Sequence, residues 1–232
     1  MNNTFYGKKI LIAGGSSGIG LAVAKQAQTN GACVVVASRN AEANAGVIFK
    51  TIGESIELHS FDITIQSDRR RLLEFAGCID HLVITVRPDM KSLLFQEVEI
   101  TRAISAFNTK FWGQYGLIQQ AQHFINDNGS IILTSGIAGE KIYKGFSTMA
   151  IINSATETLC MSLAVELAPL RVNVVSPGFV EPKPKEIREY ACQFPLRKLA
   201  SLDDVAKAYI DIMASPYQTG TITVIDGGAR LI

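Results

Sequence analysis

Ile10-Leu11-Ile12-Ala13-Gly14-Gly15-Ser16-Ser17-Gly18-Ile19-Gly20 is an apolar run that closes on glycines spaced Gly14-x-x-x-Gly18-x-Gly20. Leu21-Ala22-Val23-Ala24-Lys25-Gln26-Ala27 continues it with an amphipathic pattern. Together they read as a buried strand, a tight turn and the start of a helix. Glycine lets backbone approach a ligand closely, and a helix N-terminus offers unpaired N–H groups to a phosphate. A glycine turn alone is common for steric reasons; set between strand and helix, it is the arrangement that cradles a dinucleotide.

Working outward, the chain alternates strand and helix almost throughout. Cys33-Val34-Val35-Val36-Ala37 predicts a second buried strand, followed by a helix over 41–51, a strand over 56–61 and a helix over 66–76. Asp80-His81-Leu82-Val83-Ile84-Thr85 is the fourth strand; a long helical region over 101–126, broken near Asn108, comes next. Ser130-Ile131-Ile132-Leu133-Thr134 and Arg171-Val172-Asn173-Val174-Val175 bracket a helix over 148–167. A Pro-rich excursion over 177–195 precedes a helix begun by Ser201-Leu202-Asp203-Asp204, and Thr221-Ile222-Thr223-Val224 closes the sheet. Short, fully apolar, β-branched strands suit a parallel sheet covered on both faces, and the alternation predicts a doubly wound α/β fold. Ligands in such folds bind beyond the carboxyl ends of the strands, so residues 14–20, 38–40, 62–63, 85–88, 135–139 and 177–182 are where function is expected.

Composition bounds the reading. The 232 residues fit one domain spanning 1–232, and 47% hydrophobic residues are enough for a sizeable core. A net charge of +1 without a long basic run argues against a nucleic-acid partner. The opening Met1-Asn2-Asn3-Thr4-Phe5-Tyr6-Gly7 lacks the apolar core of a secretion signal. No apolar run approaches the about 18 residues that span a bilayer, so neither a membrane nor export is expected. Cys33, Cys78, Cys160 and Cys192 are scattered and read as reduced, mostly buried thiols of a cytoplasmic protein. No metal site is expected, since His59, His81 and His123 also lack ligand spacing.

Over nearly its whole length the sequence resembles the short-chain dehydrogenase/reductase family. The resemblance is carried by Gly14-Gly15-Ser16-Ser17-Gly18-Ile19-Gly20, Asp62, and Ser162-Leu163-Ala164-Val165-Glu166-Leu167-Ala168-Pro169 with Arg171-Val172-Asn173. It extends through Ser176-Pro177-Gly178, Pro195-Leu196-Arg197-Lys198-Leu199, Asp203-Asp204-Val205-Ala206 and Asp226-Gly227-Gly228. It implies a single Rossmann-type domain with a seven-stranded parallel sheet, assembled as a homodimer or homotetramer through long helices. The resemblance places a cofactor against Gly14, Ser16, Ser17, Gly18, Ile19, Gly20, Asp62, Ile63, Thr85, Pro177, Gly178 and Val180. A dinucleotide site that prefers NAD places a carboxylate after the second strand, but Ser38-Arg39-Asn40 stands there. Arginine offers a planar, permanently charged fork to a 2′-phosphate, with Ser16 and Ser38 as hydroxyl donors. NADPH is therefore the expected cofactor; a solvated surface arginine is the plain alternative. Asp62 matches the family's adenine-contacting aspartate, and could equally cap its turn through Thr64.

The same resemblance makes the catalytic positions unusual. Counted back from Ser162, the family's Lys falls on Asn153, its Tyr on Met149 and its Ser on Gly136. Its Asn is matched by Asn108, and its Asn-Asn-Ala-Gly by Ile84-Thr85-Val86-Arg87. Pro182 replaces the Thr that follows Pro-Gly. Methionine has no ionisable proton, so Tyr-mediated carbonyl reduction through residue 149 is excluded. Ser135 could stand in for the lost Ser; Tyr143 would need a different backbone path to replace the Tyr. Lys110, two residues after Asn108, could aim an ammonium at the vacated centre or be an ordinary surface lysine. Phe146-Ser147-Thr148-Met149-Ala150-Ile151-Ile152-Asn153 also resembles the enoyl reductase branch, with Phe146 and Asn153 in place of its Tyr and Lys.

Two functions follow as expectations. One is an NADPH-dependent reductase of a ketone or conjugated enone, with Asn108, Lys110, Ser135 and Asn153 at its centre and a short, polar substrate loop over 179–195. The other is a catalytically inactive relative that binds NADPH as a structural or sensing protein.

Overall fold

The computed structural model describes residues 4–232; Met1, Asn2 and Asn3, part of the stretch read against a secretion signal, lie outside it. Seven strands form one parallel sheet in the order β3-β2-β1-β4-β5-β6-β7: β1 (Lys9–Ala13), β2 (Cys33–Ser38), β3 (Glu57–Ser60), β4 (Ile79–Ile84), β5 (Ile125–Thr134), β6 (Arg171–Pro177) and β7 (Ile222–Ile225). The central strands are buried on both faces, which is why they read as continuous apolar runs rather than alternating ones. Strand order reverses between β1 and β4, and a doubly wound sheet opens its ligand crevice at that switch point.

Two apolar layers enclose the sheet. On one face α1 (Gly18–Thr29), α2 (Ala45–Ile52) and α8 (Leu202–Ala214) pack around Ile10, Ile12, Val34, Val36 and Tyr209. On the other, α3 (Gln66–Ala76), α5 (Gly113–Ala121) and α6 (Ser147–Glu166) cover Leu11, Val35, Leu82, Leu133 and Val174. Ser201 starts α8 with a reciprocal cap: its hydroxyl accepts from the Asp204 N–H at 3.1 Å, and the Asp204 carboxylate accepts from the Ser201 N–H at 3.0 Å. His81 sits in β4 with Nδ1 2.8 Å from the Ser130 hydroxyl, a packed strand residue as its isolation in sequence suggests.

Three boundaries differ from the sequence pattern. α2 begins at Ala45, because turns occupy 39–44 and the Glu42 N–H is held by the Ser60 hydroxyl. The long helical region ends at Ala121, and the chain already enters β5 at Ile125, whose pairing with Ile79 lengthens the strand backwards. Inside that region, at the break expected near Asn108, α4 (Ile100–Phe107) gives way to a π-helical segment, Asn108–Trp112, before α5. The Pro-rich excursion contains a short helix, α7 (Lys185–Ala191), entered from Pro184. Finally, α6 has 20 residues and an 18-residue window of mean hydropathy 1.2, long and apolar enough by composition to cross a bilayer. One face lies against the sheet through Ile152, Thr156, Leu159 and Cys160, while only 33% of that window is buried and Ile151, Met161 and Val165 are exposed on the rest of the helix.

Candidate active site

The glycine turn connects β1 to α1. Ser17 caps α1 in extended backbone with no side-chain hydrogen bond, and the first helical turn carries no acidic residue. Its terminal N–H groups are therefore open to an anion. A Cβ on Gly18 (φ +53°) would meet nothing within 4 Å, whereas one on Gly20 would fall 2.3 Å from the Gly14 carbonyl oxygen. Gly18 thus borders open space while Gly20 is where helix and turn close on each other. Thr85 locks this contact from β4, donating from its N–H to the Ala13 carbonyl at 2.8 Å and from Oγ1 to the same oxygen at 3.3 Å. Ser16 and Ile19 are half-buried beside the turn, and Ser17 is exposed.

Beyond β2 and β3, Arg39, Ser60, Phe61, Asp62 and Asp68 line a cleft of about 300 Å³. Arg39 is exposed and joins no ion pair among the described residues. The buried Ser38 hydroxyl has no hydrogen-bond partner there, an orphan that a ligand oxygen would satisfy. Asp62 accepts from the Thr64 N–H at 2.8 Å and the Thr64 hydroxyl at 2.7 Å through one oxygen, so it caps its turn as well as lining the cleft. Ile63 is buried against Gly113, where a Cβ would come within 2.9 Å of its side chain. An open helix terminus, an orphan hydroxyl and a free guanidinium in series form a donor set suited to a nicotinamide dinucleotide.

At the other end of the crevice, the exits of β6 and β7 are flush. The Gly178 N–H donates to the Ile225 carbonyl at 2.9 Å, and a Cβ on Gly178 would sit 2.8 Å from the Asp226 Cα. Val180 bridges to Ala200, which fixes the base of the loop that follows Pro177. Phe179 then joins an aromatic cluster, edge-on to Tyr143 and Tyr190 and tilted against Phe194.

Between these regions lies a buried polar centre built from three elements. The π-helical segment delivers Lys110, the end of β5 delivers Ser135, and α6 delivers Asn153, and all three side chains are buried. The Lys110 ammonium donates to the Ser135 carbonyl at 2.9 Å and to Asn153 Oδ1 at 2.7 Å. A Cβ on Gly136 would lie 3.0 Å from Asn153 Nδ2, so the Asn153 amide fills the space beside the β5 exit. The Ser135 hydroxyl donates to Glu157 Oε1 at 2.7 Å. Burial, reinforced by the Arg87 charge and opposed by Glu157, lowers the Lys110 pKa to about 7. An ammonium has three protons; two are committed here, and the third has no acceptor among the described residues.

Asn108 does not join this centre. It is exposed, and two residues along a helix turn a side chain to nearly the opposite face, so the inward position belongs to Lys110. Met149 is half-buried one turn before Asn153 on α6. Tyr143 points elsewhere: its hydroxyl is buried without a partner, and burial with the nearby Tyr190 and Asp226 pushes its pKa up to about 12. Glu157 was not among the expected residues, although its place four residues after Asn153 on one helix face is the pattern that would have found it.

The chain matches the family described as enoyl-(acyl carrier protein) reductase over residues 13–230. Short-chain dehydrogenase/reductase ATR9 of Stachybotrys chlorohalonatus is 34% identical over 252 residues, covering 98% of this chain and 99% of that protein. Carbonyl reductase family member 4 of Xenopus laevis is 31% identical, covering 97% and 98%. Among solved structures, a small-chain dehydrogenase in complex with NADPH superposes with a TM-score of 0.83 at 29% identity, covering 97% of this chain and 99% of that one.

Proposed function

Since the chain belongs to the short-chain dehydrogenase/reductase family, we propose that it is an NADPH-dependent reductase of a ketone or conjugated enone with a rebuilt polar centre. The family's Ser, Tyr and Lys positions correspond to Gly136, Met149 and Asn153. What carries the reading is the Lys110 ammonium, brought in from the π-helical segment and bound to the side chain that stands where the family's lysine would. A positive group is thus returned to the centre from another helix.

In this reading Gly14, Gly18, Gly20 and the first turn of α1 hold the pyrophosphate, and Ser38 and Arg39 hold the 2′-phosphate. Asp62 and Ile63 flank the adenine, while Thr85, Pro177, Gly178 and Val180 border the nicotinamide. Bound NADPH supplies the hydride. Lys110 stabilises the negative charge developing on the substrate oxygen, or gives it a proton, through the third N–H of Nζ. Asn153 holds the ammonium and offers its Nδ2 to the same oxygen or to a ribose hydroxyl. The Ser135 carbonyl fixes the reach of the lysine. Reduction of a conjugated double bond suits this set well, because an enolate needs stabilising at once and can take its proton later from water. The loop over 179–195, with Phe179 at its root, borders the substrate.

Ile104, Trp112, Tyr115, Ile151, Met161 and Val165 leave apolar surface exposed on α4, the π-helical segment, α5 and α6, and a second copy of the chain is the partner that fits the family's assembly through long helices. Contrary to the expectation of mostly buried thiols, only Cys160 is buried while Cys33, Cys78 and Cys192 are exposed; free exposed thiols suit a reducing, cytoplasmic setting. A second reading, an inactive NADPH-binding protein, is favoured by Met149, which has no proton to give. Titrating NADPH and then screening ketones and enones with wild type and Lys110→Ala separates the two. Turnover that falls roughly 100-fold or more in Lys110→Ala supports the reductase. Tight NADPH binding without turnover across a broad panel supports the inactive reading. Absence of NADPH binding removes both.

A further inference from the structure

Lys110 carries a charge into the interior with no counterion in direct contact. Its side chain is buried, and both its acceptors, the Ser135 carbonyl at 2.9 Å and Asn153 Oδ1 at 2.7 Å, are neutral. It joins no ion pair among the described residues. A buried ammonium in that state is driven to shed its proton, and a neutral amine is the wrong form to steady an oxygen that gains negative charge. The charges on the elements around it therefore matter. α5 has none, and at the start of α4 Arg102 is paired with Glu99 at 3.6 Å. The loop after β4 contributes Arg87, whose positive charge works against the ammonium. α6 contributes Glu157 and, at its far end, Glu166.

Contacts fix the place of Glu157. Its Oε1 accepts from the Ser135 hydroxyl at 2.7 Å, and it stands one turn after Asn153 on α6. These bonds close a ring: Lys110 binds Ser135 and Asn153, Ser135 binds Glu157, and one helical turn joins Glu157 back to Asn153. Ser135 is pinned at every polar group, since its N–H also donates to the Val175 carbonyl at 3.0 Å. Gly139 lets α6 approach this closely. A Cβ there would lie 3.0 Å from the Ser154 nitrogen, and the Ser154 hydroxyl donates to the Gly139 carbonyl at 2.9 Å. The Glu157 carboxylate is half-buried and pairs with no lysine or arginine among the described residues, so no other cation neutralises it. Its charge is felt on the next turn as well: burial and Glu157 push the Cys160 thiol up to about 12, which leaves it a neutral donor to the Val172 carbonyl.

We propose that Glu157 is the counter-charge and positioning residue of the polar centre: tethered by the Ser135 hydroxyl, its carboxylate favours the ammonium form of Lys110, the form that meets the substrate oxygen. The use made of the ammonium rests on the reductase reading above; the place of the carboxylate rests on the ring of contacts. Glu157 need not touch substrate. A purely structural Glu157 would serve only as the acceptor that the Ser135 hydroxyl requires, and its charge would then be immaterial. Glutamine separates the two roles, because its amide oxygen still accepts from Ser135 while the charge is gone.

The Lys110 Cε resonance, followed against pH in protein labelled with ¹³C-lysine and loaded with NADP⁺, reads the ammonium directly, with or without turnover. Its absence from Lys110→Met assigns it. Glu157→Gln should lower the titration midpoint of Lys110 by about one pH unit or more. Ser135→Ala, which frees the carboxylate from its tether, should move it in the same direction by less. In turnover of the best ketone or enone, Glu157→Gln should lose roughly tenfold in kcat/KM at about pH 8 and approach wild type at about pH 6. A Lys110 midpoint that is unchanged or raised in Glu157→Gln overturns the proposal even where activity is lost, since that loss is then structural. If Glu157→Gln does not fold, Ser135→Ala decides by the same criterion, and a midpoint equal to that of wild type overturns the proposal. If wild type turns over no substrate or binds no NADP⁺, the reductase reading falls by itself, and the same midpoints on the unliganded protein still decide whether Glu157 supports the charge of Lys110.

Discussion

The two ends of one crevice are built on different principles. At the exits of β1 and β2 the work is done by backbone: open N–H groups, a turn that only glycine can close, and a cleft edged by Arg39 and Asp62. At the exits of β4, β5 and β6 it is done by side chains, with Lys110, Asn153, Ser135 and Glu157 linked in one hydrogen-bonded centre. Backbone geometry tolerates little change in the residues that create it. A side-chain centre can be refilled from whichever neighbouring element reaches it.

The sharpest way to break this comparison is Gly20→Ala. The new Cβ would lie 2.3 Å from a main-chain oxygen that cannot move without opening the β1 exit. The expected result is a loss of about 3 kcal/mol or more in urea unfolding together with loss of NADPH binding. A stable, NADPH-binding Gly20→Ala protein would show that the turn is as adaptable as the opposite end.

Next in size is the pH dependence of turnover. With the Lys110 pKa lowered to about 7, the fraction of ammonium falls as pH rises through that value. kcat/KM for the best substrate should therefore decline roughly tenfold per pH unit above about 7. The same shift affects folding. A lysine whose folded pKa lies below its unfolded one is less protonated in the native state between about 7 and 10.5, so stability should rise across that interval and be lowest beneath it. A flat kcat/KM profile from pH 6 to 9 would remove Lys110 from the chemistry.

Smallest is Arg39→Ala, expected to weaken NADPH roughly tenfold and leave NADH nearly unchanged in equilibrium titrations. Equal losses for both cofactors would mean that Arg39 steers dinucleotides in general and does not read the 2′-phosphate.

The legibility of the sequence follows the same division. The glycine turn, the seven strands and the Ser201 cap are encoded by local patterns, and the structure reproduces them to within a few residues. The polar centre is encoded by phase, which local patterns carry poorly. Counting along the chain aligns Asn108 with a family position, yet the π-helical turn that begins there presents Lys110 instead. Lys110 was recognisable as a residue type near the right place; its partner Asn153 fixed which way it faced only once α6 was packed. Glu157 reaches the centre through the Ser135 hydroxyl, a contact between elements that no single segment reveals. The short helix Lys185–Ala191 was hidden by the prolines around it, which mark a loop by composition but allow a helix between them.

The π-helical turn Asn108–Trp112 also joins two helices with separate obligations. On the crevice side it presents Lys110; on the outer side it carries Trp112 toward Tyr115 at 5.9 Å between ring centres. Because a wider turn breaks the 3.6-residue rhythm, the rotational setting of α5 need not follow that of α4. The segment behaves as a slip coupling in a shaft: one length can be re-timed while the other keeps its bearing. An insertion or deletion within these five residues would rotate the exposed rings of Trp112 and Tyr115 against the buried ammonium of Lys110, making this short stretch the place where outer surface and polar centre can drift apart.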